Sequence, residues 1–445
     1  MLGLGGAIGA GLFVGSGGGI AVAGPGILLS YLFAGALGML VMRMLGEMSA
    51  ASPSSGSFSV YAERALGRWA GFTVGWLYWF LLVVVLAVEA TGAAKIAHGW
   101  LPAVPQWTWV LLFMVVFTAG NLISVRNFGE FEFWFAAVKV FAIVAFLVLA
   151  TLAVFGLLPG TSSVGMANLT GHGGFLPHGW EGVVAGVLAV VFAFGGLEMV
   201  TIAAAESDDP ARSVARAVRS AVWRIMVFYI GSMLLIVTLL PWDSLAPGQS
   251  PYVAVLDSVG VGSAGRLMDV VVFTALLSAL NANLYSSSRM LYSLAGRGDA
   301  PRGLARVSGG GVPRRAVLAS VAFGFLSVVL NLLWPDTVFM YMLNSVGAIV
   351  LFVWILIALS QLRLRRTLES GTPGGLPVRM WGFPCLTWAA LAAMAGVLVL
   401  MLLDDASRPQ VLWTGSAAAL IVGVAWARGP RRTARGSDPL RPDGA

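Results

Sequence analysis

From Phe133 to Leu158 the chain carries one charge, Lys139, and Ile27 to Val41, Ala70 to Val88 and Ala316 to Leu333 carry none. Stretches of this kind match the roughly twenty apolar residues that carry a helix across about 30 Å of hydrocarbon. Composition leaves little alternative. Of 445 residues 58% are hydrophobic and 11% charged, against about 25% charged in an average soluble domain, and no single soluble core hides so much apolar surface. A membrane barrel needs ten-residue segments alternating polar and apolar, which are absent from the sequence. The expected fold is an all-α integral membrane protein.

Twelve hydrophobic blocks can be drawn, at 1–20, 27–50, 69–94, 106–124, 131–158, 182–205, 217–241, 265–296, 315–334, 336–361, 384–403 and 409–428. The net charge of +7 matters less than its placement. With the N-terminus inside, only Lys95, Arg266 and Arg408 of the 27 Lys and Arg fall in outer loops, and Lys139 lies within a span. By the positive-inside rule both termini are cytoplasmic. The basic tail, 429–445, reads as a topology anchor on an acidic inner leaflet rather than a nucleic-acid segment.

No soluble domain is expected. His172 and His178 in the loop 159–181 have no carboxylate or cysteine at ligand spacing and read as solvated, so no metal site is expected. Cys385 is the single cysteine, which excludes an intramolecular disulfide. The first span is rich in glycine and begins at Met1 without the basic lead of a signal peptide. A break at Gly9 to Gly11 leaves about 12 Å of helix before it, short of the ~15 Å to mid-bilayer, so the natural start is expected upstream.

The sixth span repeats the pattern, with Gly195, Gly196 and Glu198 in mid-membrane. Two glycine-interrupted helices at corresponding places of two five-helix repeats, the second inverted, are the sequence pointer to a transporter site. A helix break in lipid leaves backbone groups unpaired, at several kcal/mol each, and persists where a cavity or ligand uses them. Span one runs outward, so the half-helix from near Leu12 turns free N–H groups and a positive end to the site, suited to a carboxylate. The outer half of span six ends near Phe194 with free carbonyls, suited to an ammonium. An α-amino acid carries both groups. Close helix packing through small residues explains the glycines equally well.

Several motifs lie in order along the chain. They are Leu4-Gly-Gly-Ala-Ile-Gly-Ala-Gly-Leu-Phe-Val-Gly-Ser-Gly17, Gly46-Glu-Met-Ser with Pro53-Ser-Ser-Gly-Ser-Phe58 and Tyr61-Ala, Phe128-Gly-Glu-Phe-Glu-Phe-Trp134 leading to Lys139, and Phe194-Gly-Gly-Leu-Glu-Met-Val200 leading to Ala205-Glu-Ser-Asp-Asp-Pro210. The most specific runs from Leu277 through Asn281, Ser286 and Arg289 to Pro301. This set resembles the amino acid/polyamine/organocation superfamily, in its bacterial amino-acid permease branch of 4-aminobutyrate, aromatic and proline carriers.

The resemblance implies about twelve transmembrane helices. They form a five-plus-five inverted repeat (1–158 and 182–361) with helices 1 and 6 broken, two extra helices (384–428) and the tail. It further implies a bacterial-type plasma membrane and symport of an amino acid with protons, without other cofactors. By motif position, Gly9, Ala10 and Gly11 fall at the first break, with Ala10 and Gly11 offering amides to the substrate carboxylate. Ala193, Phe194 and Gly195 offer carbonyls to its ammonium, and Phe192 stands at an aromatic gate. Lys139 would sit near the first helix as a substitute for a sodium ion. A lysine within a span costs roughly 2.5–3.5 kcal/mol or more, and the alternative is that Lys139 snorkels to the inner surface. Glu89, similar to an acidic position of this branch, and Glu198 are candidates for proton transfer, with hydrogen bonding to freed backbone groups as the alternative. Ser278 and Asn281 either line the cavity or bond between helices. Phe192, Met199, Trp76, Tyr78 and Trp79 make the expected surroundings mostly apolar. Glu47, Glu63 and Glu206 are expected as gate ion pairs near the inner surface.

Proton-coupled import by alternating access is therefore the leading expectation. An amino acid/polyamine exchanger and a non-transporting nutrient sensor are the alternatives. A membrane enzyme lacks a nucleophile and base within the spans. The expected partners are the amino acid and membrane lipid, with no nucleic acid and no obligate protein partner.

Overall fold

A computed structural model describes residues 9–53, 57–123, 128–159, 162–163, 165–196, 198, 209–245, 249–260, 262–308, 311–371, 375–405 and 407–428. Expectations placed on Met199, Glu206 and the tail 429–445 fall outside them.

Every regular element among the described residues is helical. A π-turn, Gly11–Gly15, leads into α1 (Ser16–Ala23), and a 3-10 turn, Gly24–Gly26, leads into α2 (Ile27–Ala51). Then come α3 (Ser57–Leu66), α4 (Arg68–Trp100), α5 (Gln106–Ile123), α6 (Phe128–Val154), the single turn α7 (Ala167–Thr170) and α8 (Gly179–Phe194). The second half holds α9 (Pro210–Arg224), a π-turn (Ile225–Gly231), α10 (Ser232–Leu239), α11 (Pro251–Ser258), α12 (Gly262–Gly296), α13 (Arg314–Leu333) and α14 (Val338–Gly371). Last are α15 (Cys385–Leu403) and α16 (Arg408–Ala427).

Nine helical segments among the described residues are long and apolar enough to cross a membrane, the first being Gly11–Ala51 taken through its internal turn, and Gly179–Phe194 and Met226–Leu239 are shorter apolar helices. Gly24 makes that internal turn possible. Its φ is +59°, and a Cβ there would lie 2.4 Å from Pro177 Cγ, a left-handed conformation that costs glycine nothing.

The packing has a centre and an edge. Helix α4 lies against α3, α5, α12, α13, α14 and α16, and 78% of its most apolar window is buried, against 28% in α15 and 17% in α16. Helices α15 and α16 are therefore peripheral. Outward faces carry large apolar side chains at helical spacing, such as Phe141, Val144 and Val148 on α6 and Phe323, Leu326 and Val329 on α13. Surfaces of this kind are stable against lipid rather than water. Both α1 and α2 pack on α8, which brings the two glycine-rich interruptions together.

Candidate functional site

The first interruption is built around glycine. The N–H groups of Leu12 and Phe13 both reach the Gly9 carbonyl at 3.3 Å, and the Ala10 N–H donates to both oxygens of Glu89, at 3.0 and 3.1 Å. Glu89 arrives from α4 and is 2% exposed. A carboxylate thus already occupies a helix-start amide of the kind the sequence assigns to an anion. Only glycine at position 9 leaves room for it, since a Cβ would stand 2.3 Å from Glu89 Oε1 and 3.2 Å from the Ala279 Cβ of α12. At Gly11 a Cβ would stand 2.7 Å from Ala193 Cα and 2.9 Å from the Phe192 ring, so the two interruptions meet there.

The second interruption follows directly. Helix α8 ends at Phe194, Gly195 turns to an extended ψ of 138°, and its N–H returns to the Phe192 carbonyl at 3.0 Å. Gly196 takes a φ of +93°, and its N–H donates to Glu198 Oε1 at 3.2 Å. The Tyr78 hydroxyl of α4 and the Trp354 indole N–H of α14 lie near the Glu198 carboxylate. Phe194 stacks on Tyr229 with centroids 5.1 Å apart and meets Tyr31 edge-on at 5.9 Å. The interruptions are thus walled by aromatic rings and flanked by one buried carboxylate each. Lys139 on α6 is 1% exposed, and its charge acts on Glu89.

An amino acid permease family model matches residues 1–429. The chain belongs to this family. It is 49% identical to the gamma-aminobutyric acid permease of Bacillus subtilis (strain 168) over 422 residues, covering 95% of this chain and 90% of the relative. It is likewise 49% identical to the aromatic amino acid transport protein AroP of Corynebacterium glutamicum over 415 residues, covering 92% and 89%. Identity to the gamma-aminobutyric acid permease of Escherichia coli (strain K12) is 45%, covering 95% and 91%. Among solved structures, a mutant of the Eremococcus coleocola manganese transporter superposes with a TM-score of 0.59 at 14% identity, over 96% of this chain and 92% of that one. That likeness speaks to the fold alone. The relatives are transporters, not enzymes, and this chain is a multi-pass membrane protein of the same family.

Not every residue singled out in the permease's sequence lies at the interruptions. Asn281 is bonded through its Oδ1 to Asn121 Nδ2 of α5 at 2.8 Å, an interhelical bond. Ser278 is 2% exposed on α12, next to the Ala279 that approaches Gly9. Of the α4 aromatics only Tyr78 faces Glu198. Trp76 donates to the Asp299 carbonyl at 3.2 Å and Trp79 to Ser320 Oγ at 3.0 Å, so both serve packing. His172 pairs with Asp243 at 3.1 Å in the exposed loop.

Glu47, expected as a gate ion pair near the inner surface, does pair with an arginine, and the pair is buried. Glu47 is wholly buried, accepting from Gln361 Nε2 at 2.7 Å, the Met380 N–H at 2.6 Å and the Arg365 guanidinium. The α14 helix runs past position 361 and turns Arg365 back to reach it. Gln361 was missed as a polar partner because, in a long apolar run, it reads as packing.

Proposed function

We propose that this chain imports a zwitterionic amino acid by proton symport with alternating access, crossing a bacterial plasma membrane twelve times with both termini in the cytoplasm. The carrying observation is Glu89 seated on the Ala10 amide at the start of the first half-helix. A substrate carboxylate seeking that amide competes with Glu89 for it. A proton added to Glu89 weakens its hold, because a charge-assisted bond is about twice as strong as a neutral one, and the amide passes to the substrate. Loading of substrate and proton are thereby linked at one N–H group. Lys139 supports the scheme from its buried place on α6 by stabilising the deprotonated Glu89 between cycles. The ammonium is left to the carbonyl end of α8, with Phe192 closing over it.

The crossing count rests on reading Gly11–Ala51 as two passes joined at Gly24–Gly26 and on adding Gly179–Phe194 and Met226–Leu239 to the longer spans. The inverted five-plus-five arrangement rests on the equivalence of the two interruptions. The names of the relatives favour a neutral substrate, 4-aminobutyrate or an aromatic amino acid, and the rings of Phe192, Phe194 and Tyr31 suit either. The test is uptake of labelled amino acids by purified protein in liposomes with an acid exterior. Accumulation above equilibrium, abolished by a protonophore, is expected. One-for-one exchange indifferent to the gradient would overturn symport, and no uptake of any amino acid would leave a sensor.

A further inference from the structure

At the arginine-rich end of the bundle, away from the interruptions, a cleft of about 310 Å3 opens between α2, α9 and the segment 375–384. Its walls are Arg43, Arg219, Trp223 and Trp381, with Val218 and Val378 at its base. Arg43 is fixed in place. Its Nε donates to the Arg379 carbonyl at 2.9 Å and its guanidinium lies 4.1 Å above the Trp381 ring. Arg219 comes from the exposed face of α9 and is close enough for its charge to act on that of Arg43. Two like charges converging on one cleft are a site that an anion completes. The carboxylate one turn along from Arg43, Glu47, is already committed beneath the cleft to Arg365, Gln361 and the Met380 N–H.

The surroundings identify the anion's source. The cleft lies where α9 gives way to the apolar helix Met226–Leu239 and where α15 begins. Trp223 is exposed at one lip, with Met226 and Val227 exposed one turn beyond it, and Trp381 is exposed at the other. Tryptophan marks the headgroup level of a bilayer, and apolar lips rising from a basic cleft suit acyl chains above a charged head. Arginine holds phosphate oxygens through two parallel N–H bonds. The geometry points to a binding site for the phosphodiester headgroup of an anionic phospholipid, held between Arg43 and Arg219 with its chains along the two lips. It requires only that the chain be embedded in a bilayer, so failure of proton coupling leaves it untouched.

Native mass spectrometry of the detergent-purified full chain, titrated with phosphatidylglycerol or phosphatidylcholine, tests it. Preferential retention of phosphatidylglycerol is expected. Arg219→Gln is expected to weaken it about fivefold, as one interfacial arginine is worth, and Arg43→Gln to do likewise. Arg216→Gln, on the same exposed face of α9 but outside the cleft, is the control and should change it by less than twofold. Equal retention of the two lipids would overturn the site outright, and an Arg216→Gln effect as large as that of Arg219→Gln would replace it with diffuse surface charge. Displacement of phosphatidylglycerol by millimolar inorganic phosphate would reassign it to a soluble anion. Arg219 is exposed, so its variant is expected to keep the parent's elution profile, and a lost profile in Arg43→Gln leaves the test to Arg219.

Discussion

Gly9 and Gly11 are neighbours in sequence with separate duties, and alanine at each separates them. At Gly9 the new methyl meets the far end of Glu89, 2.3 Å from its Oε1, so the side chain must leave the Ala10 amide while the backbone stays. Gly9→Ala is expected to fold, to retain substrate exchange and to lose at least tenfold in proton-driven accumulation, read in liposomes with and without a pH gradient. At Gly11 the methyl meets the Ala193 backbone at 2.7 Å, which cannot swing aside, so Gly11→Ala is expected to abolish both exchange and accumulation. Lys139→Ala tests the other side of the couple. It is expected to remove accumulation and spare substrate binding measured by equilibrium titration, and unchanged accumulation would reduce Lys139 to a structural cation. The glycines were legible because a break in lipid needs residues without Cβ. That Glu89 sits on Ala10 was not, since the two are 79 positions apart and no local pattern joins them.

At the scale of elements, the helix ends that matter are set by single residues. Helix α8 stops at Phe194 because Gly195 is extended and Gly196 adopts φ +93°, and a left-handed residue other than glycine costs roughly 1–2 kcal/mol. Gly196→Ala is therefore expected to lower the thermal midpoint in detergent modestly and to lower uptake more, since the Gly196 N–H also fixes Glu198. The paired glycines announced this end in the sequence. The π-turn at Gly11–Gly15 and the extension of α14 beyond position 361 had no such announcement, because one widens a helix without changing its composition and the other is held by partners remote in sequence. Glu47 is the clearest case. A glutamate near the end of an apolar block reads as surface, yet α14 and the segment 375–384 close over it. Removing one partner of a buried ion pair costs about 3–5 kcal/mol. Glu47→Ala and Arg365→Ala should each lower the unfolding midpoint strongly, and the double variant should lose less than their sum.

For the whole molecule, the distribution of charge carries the prediction about direction. Hydrophobic length places helices in a bilayer but is indifferent to which end faces the cytoplasm, so orientation rests on the arginines that crowd one side and the few cations on the other. The half-helix after Gly11 turns its amide end to the site whichever way the molecule faces, so orientation decides only from which side of the membrane the site is loaded. A single native cysteine, Cys385, makes this directly testable, because Cys385→Ser leaves a chain without thiols. In that background Val307→Cys places a thiol in the basic connection between α12 and α13, where Val307 is 52% exposed, and Met166→Cys places one in the opposite loop, where Met166 is 66% exposed. A membrane-impermeant maleimide applied to intact cells is expected to label the residue at 166 and spare the one at 307, and everted vesicles should reverse the result. Labelling at 307 from outside would invert every helix, and the side of the membrane from which proton and substrate reach Glu89 would have to be reversed with it.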